Sequence, residues 1–261
     1  LIIINENLNL EKFKELKKLN SYKIFNGYKN NGQKNRLFGL KKCLELNFDL
    51  VIVADSDDTM EKNRVLKIVN FFNTHKSKKI VFSNAINNKH NFQTYYKKKI
   101  NLNDIIHKNS LGMGCMALKK NMIKFILDKK NNKIKFFDWW LATIILAYHK
   151  KVEVLKNSIV FYRIHKNNLL GPNSIKFLTS KSINDTYNYK INHFKELSLF
   201  FKKRNHLNYH KLFNNLYYDY IESRKIFKKS KKQYIKILKN RYKIKKLLWF
   251  EQALIIKKKY E

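Results

Sequence analysis

The chain has 261 residues, of which 44% are hydrophobic and 29% charged. That is enough apolar material for the packed core of one sizeable domain, and too much for a disordered chain. Two cysteines, Cys43 and Cys115, far apart and in no paired spacing, exclude a disulfide framework or a structural zinc site as the organising principle. The formal charge is +37, yet only six of the 56 basic residues are arginine. Readers of nucleic acid lean on arginine for bidentate contacts to phosphate and base edges, so nucleic acid is not the expected primary partner. Much of the lysine excess, alongside abundant Asn, Ile, Phe and Tyr, reads as A/T-rich codon usage.

In chain order, Leu1-Ile2-Ile3-Ile4 predicts a buried strand. A chain that opens inside an apolar run is expected to be N-terminally incomplete. Leu10, Phe13, Leu16 and Leu19 have helical spacing, which predicts a helix over 9–19. Residues 22–25 read as a short strand, Asn30-Asn31-Gly32 as a turn, and 37–46 as a helix. Leu50-Val51-Ile52-Val53-Ala54 is a β-branched run of the buried-strand kind, and it ends directly in Asp55-Ser56-Asp57-Asp58. A helix over 65–72 and a strand over 80–83 follow. This alternation predicts an α/β sandwich with a mostly parallel sheet flanked by helices. Beyond residue 90 the pattern is irregular, with a glycine-interrupted strand or loop over 111–118, helices over 121–128 and 137–148, and short strands over 152–155 and 159–162. From about residue 175 the chain becomes helical, aromatic and basic. The expected organisation is an α/β domain over 1–174 and a helical basic C-terminal extension over 175–261. No stretch approaches the roughly 18 apolar residues of a spanning helix, and the start lacks a signal-peptide pattern, so a cytoplasmic location is expected.

The chemistry concentrates where the strand over 50–54 ends. Three carboxylates in four positions, in a chain poor in acid, repel one another, and a divalent cation would relieve that cost. Ligands of open α/β sheets bind at the carboxyl ends of strands, and hard oxygen donors suit Mg²⁺ or Mn²⁺. The plainer alternative is an acidic loop in which Asp58 or Thr59 caps the next helix. The letters Asp55-Ser56-Asp57-Asp58-Thr59 also fit the DxDx[TV] motif of haloacid-dehalogenase-type phosphatases. That family usually opens its domain with the motif and needs a later acidic pair, which Asp104, Asp128, Asp138, Glu153 and Asp185 do not form.

Five segments in order carry a second resemblance. Asn30-Asn31-Gly32 with Arg36-Leu37-Phe38-Gly39-Leu40, the strand end Val51 to Asp58, Leu111 to Lys120, Phe137-Asp138-Trp139-Trp140-Leu141-Ala142, and Phe161-Tyr162-Arg163-Ile164-His165-Lys166-Asn167-Asn168 together resemble family 2 glycosyltransferases of the GT-A fold, in their rhamnosyltransferase-like branch. The likeness covers roughly residues 1–172. It implies an inverting, metal-dependent transferase of cell-surface polysaccharide synthesis, taking a nucleoside-diphosphate sugar as donor and a glycan or lipid-linked acceptor. It further implies that Asp57 holds the metal bridging the diphosphate, that Asp58 supports it, and that Asp55 faces the ribose or uracil. Asp138 becomes the general base, at a helix start whose dipole keeps it ionised. Gly112 and Gly114 let the backbone approach the donor sugar, Arg163 pairs with phosphate, and His165 is a third metal ligand, a diphosphate contact or a structural residue. Trp139 and Trp140 read either as a sugar-stacking pair or as core aromatics. The chain departs from the family where Asn5-Glu6-Asn7 stands in place of an acidic strand end, so the base-contacting acid is either absent or displaced to Glu6. An inactive glycan- or anionic-surface-binding domain is the non-enzymatic alternative.

The tail supports two readings. Lys245 to Lys259 is a basic amphipathic stretch. It either attaches the protein peripherally to an anionic inner membrane face or packs as a helical appendage with its lysines in solvent.

Overall fold

The computed structural model describes residues 1–6, 21–29, 31–87, 92–93, 97–107, 109–129, 131, 133–163 and 180–230. The predicted helix over 9–19, the residue His165 and the basic stretch over 245–259 lie outside the described residues. Strands β1 (Ile2–Asn5) and β2 (Lys23–Asn26) pair in parallel as a small separate sheet. Helix α1 (Gly32–Glu45) follows, its first turn capped by Asn31, whose side chain accepts from the Lys34 backbone N–H at 3.0 Å. Then come β3 (Leu50–Ile52), β4 (Thr59–Met60), α2 (Arg64–Thr74), β5 (Ile80–Asn87), β6 (Phe92–Gln93), β7 (Lys99–Asn101) and the short α3 (Leu102–Ile105). A single 3-10 turn, Met113–Cys115, leads into β8 (Met116–Lys119) and α4 (Lys120–Asp128). The buried helix α5 (Phe137–His149), the long strand β9 (Lys151–Phe161) and two long helices, α6 (Ser180–Lys202) and α7 (Leu207–Lys229), complete the order.

The larger sheet corrects the expectation of mostly parallel pairing. Its order is β3-β8-β5-β9-β4, with β6 on β5 and β7 on β9, and of these pairs only β5 with β9 is parallel. The βαβ crossover from β3 through α2 to β5 is present, as the alternation predicts, but its two strands are not neighbours. Strand β8 enters between them antiparallel, reached from an irregular segment rather than from a crossover helix, and a parallel partner would need such a crossover. The two predicted strands over 152–162 are one, β9, whose pairing with β5 shifts register between Ser83 and Asn84.

Alternation along the strands sorts the core onto two faces. Val81 and Ala117 pack with Ile68, Phe71 and Phe72 of α2, whereas Phe82, Met116 and Leu118 face the main core. That main core takes in α1, α4 and α5 and continues into α6 and α7 through Tyr187, Phe194, Phe201, Phe213 and Tyr220. Helix α5 lies in its middle and is apolar all round, as a helix buried on every side should be. From Phe137 to Ala147 only Asp138 is not buried. No described helix is long and apolar enough to cross a membrane.

Candidate functional site

Strand β3 stops at Ile52, Val53 makes one further ladder bond to the Met116 carbonyl at 2.9 Å, and the chain then turns over at Asp55, with Asp58 N–H donating to the Asp55 carbonyl at 3.3 Å. A strand terminus of this kind leaves its backbone free to turn and points the following side chains off the sheet edge. Helix α2 does not begin there. Strand β4 intervenes, and the N-cap of α2 is Asn63. The helix-capping alternative for Asp58 or Thr59 is thereby corrected, because two more residue pairs are spent on β9 before the helix starts.

Arg36 organises what faces this turn. Its Nη2 donates to Asp55 Oδ1 at 2.7 Å and its Nη1 to Asp138 Oδ1 at 2.9 Å. One planar guanidinium thus joins a carboxylate 19 residues away to another 102 residues away. Asp138 Oδ2 also accepts from the Met113 backbone N–H at 3.1 Å. Asp138 lies in the first turn of α5, but the N-cap is Phe136. Its carboxylate points to Arg36 and the 3-10 turn rather than to its own helix end. The Arg36 proton is held still more firmly than usual, first by Asp138 against the opposing effect of burial, then by Asp55. All three side chains remain about 30% exposed or slightly less, so the cluster opens to solvent.

Gly114 fits against Asp55. A Cβ there would stand 2.6 Å from Asp55 Oδ2 and 2.9 Å from its Cγ, inside any ordinary contact. Gly112 is different: nothing lies within 4 Å of where its Cβ would be. Asp58 Oδ1 accepts from the Arg163 backbone N–H at 3.0 Å, which ties the turn to the residues just past β9, while the Arg163 side chain is exposed. The Asp58 carboxyl is pushed up, by burial first and also by Asp57 and Asp55, with the Arg163 N–H working in the other direction. Asp57 is half-buried on the same turn, and its charge acts on both Asp58 and Arg36.

A short distance along, Asn35 stitches the ends of the small sheet. Its Oδ1 accepts from the Tyr28 N–H at 2.6 Å, and its amide donates to the Tyr28 carbonyl at 2.9 Å and to the carboxylate of Glu6. Glu6 is therefore engaged from α1, one residue from Arg36. Trp139 and Trp140 are core. Both are buried, their indole N–H groups donating to the carbonyls of Ile105 at 2.8 Å and Lys129 at 2.9 Å, so the sugar-stacking reading does not hold for either.

The donor chemistry of the site is oxygen-rich and negative. Asp55, Asp57, Asp58 and Asp138 gather against Arg36 and the buried Arg64, in a chain whose overall balance is +37. Among the described residues no group of three or more His, Cys, Asp or Glu is arranged to hold a metal ion. Asp55 is engaged by Arg36 and Asp58 by the Arg163 N–H, and Asp57 and Asp58 are the two carboxylates that the sequence nominates for a cation. Two such donors fit a hard divalent ion only if other oxygens complete its shell, as phosphate and water do for Mg²⁺.

Reasoning from the sequence found Asp55, Asp57, Asp58 and Asp138 and held Arg36 only as a letter in a motif. It missed Arg64 and Asn35 altogether. An arginine just before an apolar helical run carries no local sign that it will be buried.

No family model and no curated protein matches the chain. Among solved structures, the crystal structure of S. aureus TarS 1-349 is similar over 84% of this chain and 81% of its own, at 13% identity and a TM-score of 0.51. The structure of the same protein in complex with UDP is similar over 85% of this chain and 80% of its own, at 15% identity and a TM-score of 0.52. The crystal structure of A197 from STIV overlaps more loosely, over 63% of this chain and 84% of its own, at 18% identity and a TM-score of 0.41. The likeness to TarS is one of fold: this chain shares the α/β architecture of a protein crystallised with UDP.

Proposed function

We propose that the protein is a glycosyltransferase that moves a sugar from a nucleoside diphosphate to a glycan or lipid-linked acceptor hydroxyl. The observation that carries this reading is the meeting of Asp55 and Asp138 on Arg36 at the carboxyl end of β3, in a fold shared with a UDP-complexed protein. In this reading Asp57, supported by Asp58, holds Mn²⁺ or Mg²⁺ together with the donor diphosphate. The ion, when bound, neutralises charge on the departing diphosphate. Asp55 lies toward the nucleoside. Asp138 takes the proton from the acceptor hydroxyl while that oxygen bonds to the anomeric carbon and the carbon–phosphate-oxygen bond breaks, the electron pair leaving with the nucleoside diphosphate. The attack from the opposite face inverts the centre, as the family resemblance implies. Arg36 holds Asp138 in an ion pair at rest, and that pair must loosen for Asp138 to act as a base. The Met113 N–H meanwhile holds the other carboxylate oxygen in place.

Calorimetric titration with UDP, GDP and dTDP, each with and without Mn²⁺, tests the proposal. A nucleoside diphosphate that binds only with the ion, and no longer binds Asp57→Asn, supports it and identifies the base. Absence of metal-dependent binding for all three refutes it in favour of a domain that binds glycan or anionic surfaces without chemistry.

A further inference from the structure

Arg64 is 1% exposed and opens α2 directly below the carboxylate turn. Its side chain makes an unusual set of contacts. Nη2 donates to two carbonyls, Val53 and Gly114, at 3.0 Å each. Nε donates to Ser83 Oγ at 3.0 Å, which is itself 2.9 Å from Ser158 Oγ, and Nη1 faces Met60 Sδ. None of these partners is a carboxylate. A guanidinium removed from water at such cost is normally paired with an anion at close range. Here burial prevails and pulls the guanidinium's pKa down, with Cys115 and then Asp55 and Asp58 working in the other direction.

The two carbonyls matter because of where they sit. Val53 is two residues before Asp55. Gly114 is the residue whose bare Cα lies against the Asp55 carboxylate. The contact to Met60 reaches β4, the strand that follows the turn. One nitrogen therefore clasps the two chain segments that flank Asp55, and the rest of the group fixes that clasp to β5 and β9 through Ser83 and Ser158.

We infer that Arg64 is a positioning residue: it anchors the Asp55–Asp58 turn from beneath by holding Val53 and Gly114 together, and so sets the place of the carboxylates before any ligand arrives. The anchoring is a property of the fold. Its consequence for binding rests on the transferase reading above. Lysine cannot reproduce it, because a single ammonium lacks the planar fork that serves two carbonyls and a hydroxyl at once.

The test compares wild type, Arg64→Met and Arg64→Lys by amide hydrogen exchange on the full chain, followed by UDP titration with and without Mn²⁺. Methionine keeps the length and apolar stem and removes the charge, a replacement that packed interiors often tolerate. The anchor predicts exchange roughly tenfold faster or more over 53–60 and 112–116 in Arg64→Met, from the loss of charged hydrogen bonds, with little change in α5, α6 and α7. Arg64→Lys should fall between the two. Unchanged exchange in the turn, or a uniform rise across the whole sheet, overturns the anchor and leaves Arg64 an ordinary packing residue. If Arg64→Met does not fold, the same selective-against-uniform comparison is read in Arg64→Lys. Faster turn exchange together with no metal-dependent UDP binding in wild type would sink the transferase reading while the anchor stands. Metal-dependent binding of equal strength in wild type and Arg64→Met would sink the link from anchor to ligand.

Discussion

The steric fit of Gly114 to Asp55 is tight, and it makes Gly114→Ala a sharp test of the geometry. The added methyl would sit 2.6 Å from Asp55 Oδ2, 2.9 Å from Cγ and 3.4 Å from the Asp55 backbone nitrogen. Ordinary carbon–oxygen contacts begin near 3.4 Å, so a displacement of about 0.8 Å is required. Gly114 has no positive φ, and so the substitution carries no backbone strain to confuse the result. Two routes of relief exist. Asp55 can rotate away, which breaks its 2.7 Å ion pair with Arg36. Or the start of β8 can retreat, which pulls the Gly114 carbonyl from Arg64. Overpacking of this kind costs about 1–3 kcal/mol, and the partly exposed ion pair accounts for only about 0.2–1 kcal/mol of that. Thermal unfolding should therefore fall by about 3–10 °C. Metal-dependent UDP affinity should fall at least about tenfold, which corresponds to about 1.4 kcal/mol of misplaced carboxylate. Gly112→Ala is the matched control: it meets nothing within 4 Å and should leave both quantities within the ordinary scatter of a surface change. Equal behaviour of the two alanine variants, in either direction, would refute the claim that Gly114 exists to seat Asp55.

Asp138→Asn should lower sugar transfer by about 10²–10⁴-fold while leaving metal-dependent UDP binding largely intact, since the amide still accepts from the Met113 N–H; a loss of binding as large as the loss of turnover would argue against a base. Arg36→Lys cannot bridge Asp55 and Asp138 together, and UDP affinity should drop even at unchanged unfolding temperature; an unaltered affinity would show that the bridge is incidental. His193 supplies a prediction about acid. It is fully buried against Trp139, ring centroids 4.2 Å apart, neither ring nitrogen has a hydrogen-bond partner among the described residues, and burial first, then Lys190, pushes it down to about 3. Because the folded value lies below the unfolded one, its stability contribution is complete above about pH 6.5 and is lost as pH falls from there toward 3, by up to about 1.4 kcal/mol per unit. His193→Phe should flatten that limb of the unfolding profile between pH 6.5 and 4.5; a limb of unchanged slope would place the acid sensitivity elsewhere.

The helical pair is bound to the site helix more closely than a solvated appendage would be. His193 and Phe194 of α6 pack on Trp139, and Trp139 is the neighbour of Asp138 in α5. Lys190 is buried between the faces of Trp139 and Tyr220, at 5.7 and 5.4 Å, with its amine on the His107 carbonyl at 3.0 Å. These contacts tie α5, the helix that carries Asp138, to residues some fifty positions later.

Local pattern was enough for much of the architecture. The spacing of apolar residues located α1, α2, α4 and α5 and the start of β5, because an amphipathic or buried segment carries its period within its own ten or fifteen residues. The carboxylates at the end of β3 were equally legible, since an apolar run ending in three acids is unusual without any reference to neighbours. Strand adjacency was not. That β8 enters antiparallel between β3 and β5 is a choice among alternative pairings of similar local propensity, and it is decided by which arrangement buries Met116 and Leu118 on one face and Ala117 on the other. The same holds for the site. Acids, glycines and arginines were all visible as letters, but only the folded chain brings Asp138 to Arg36 across 102 residues, seats Asp55 on Gly114 and buries Arg64 beneath them both. Charge pairing and close approach act over a few ångströms of space, with no period along the chain to announce them, so they are settled by tertiary packing alone.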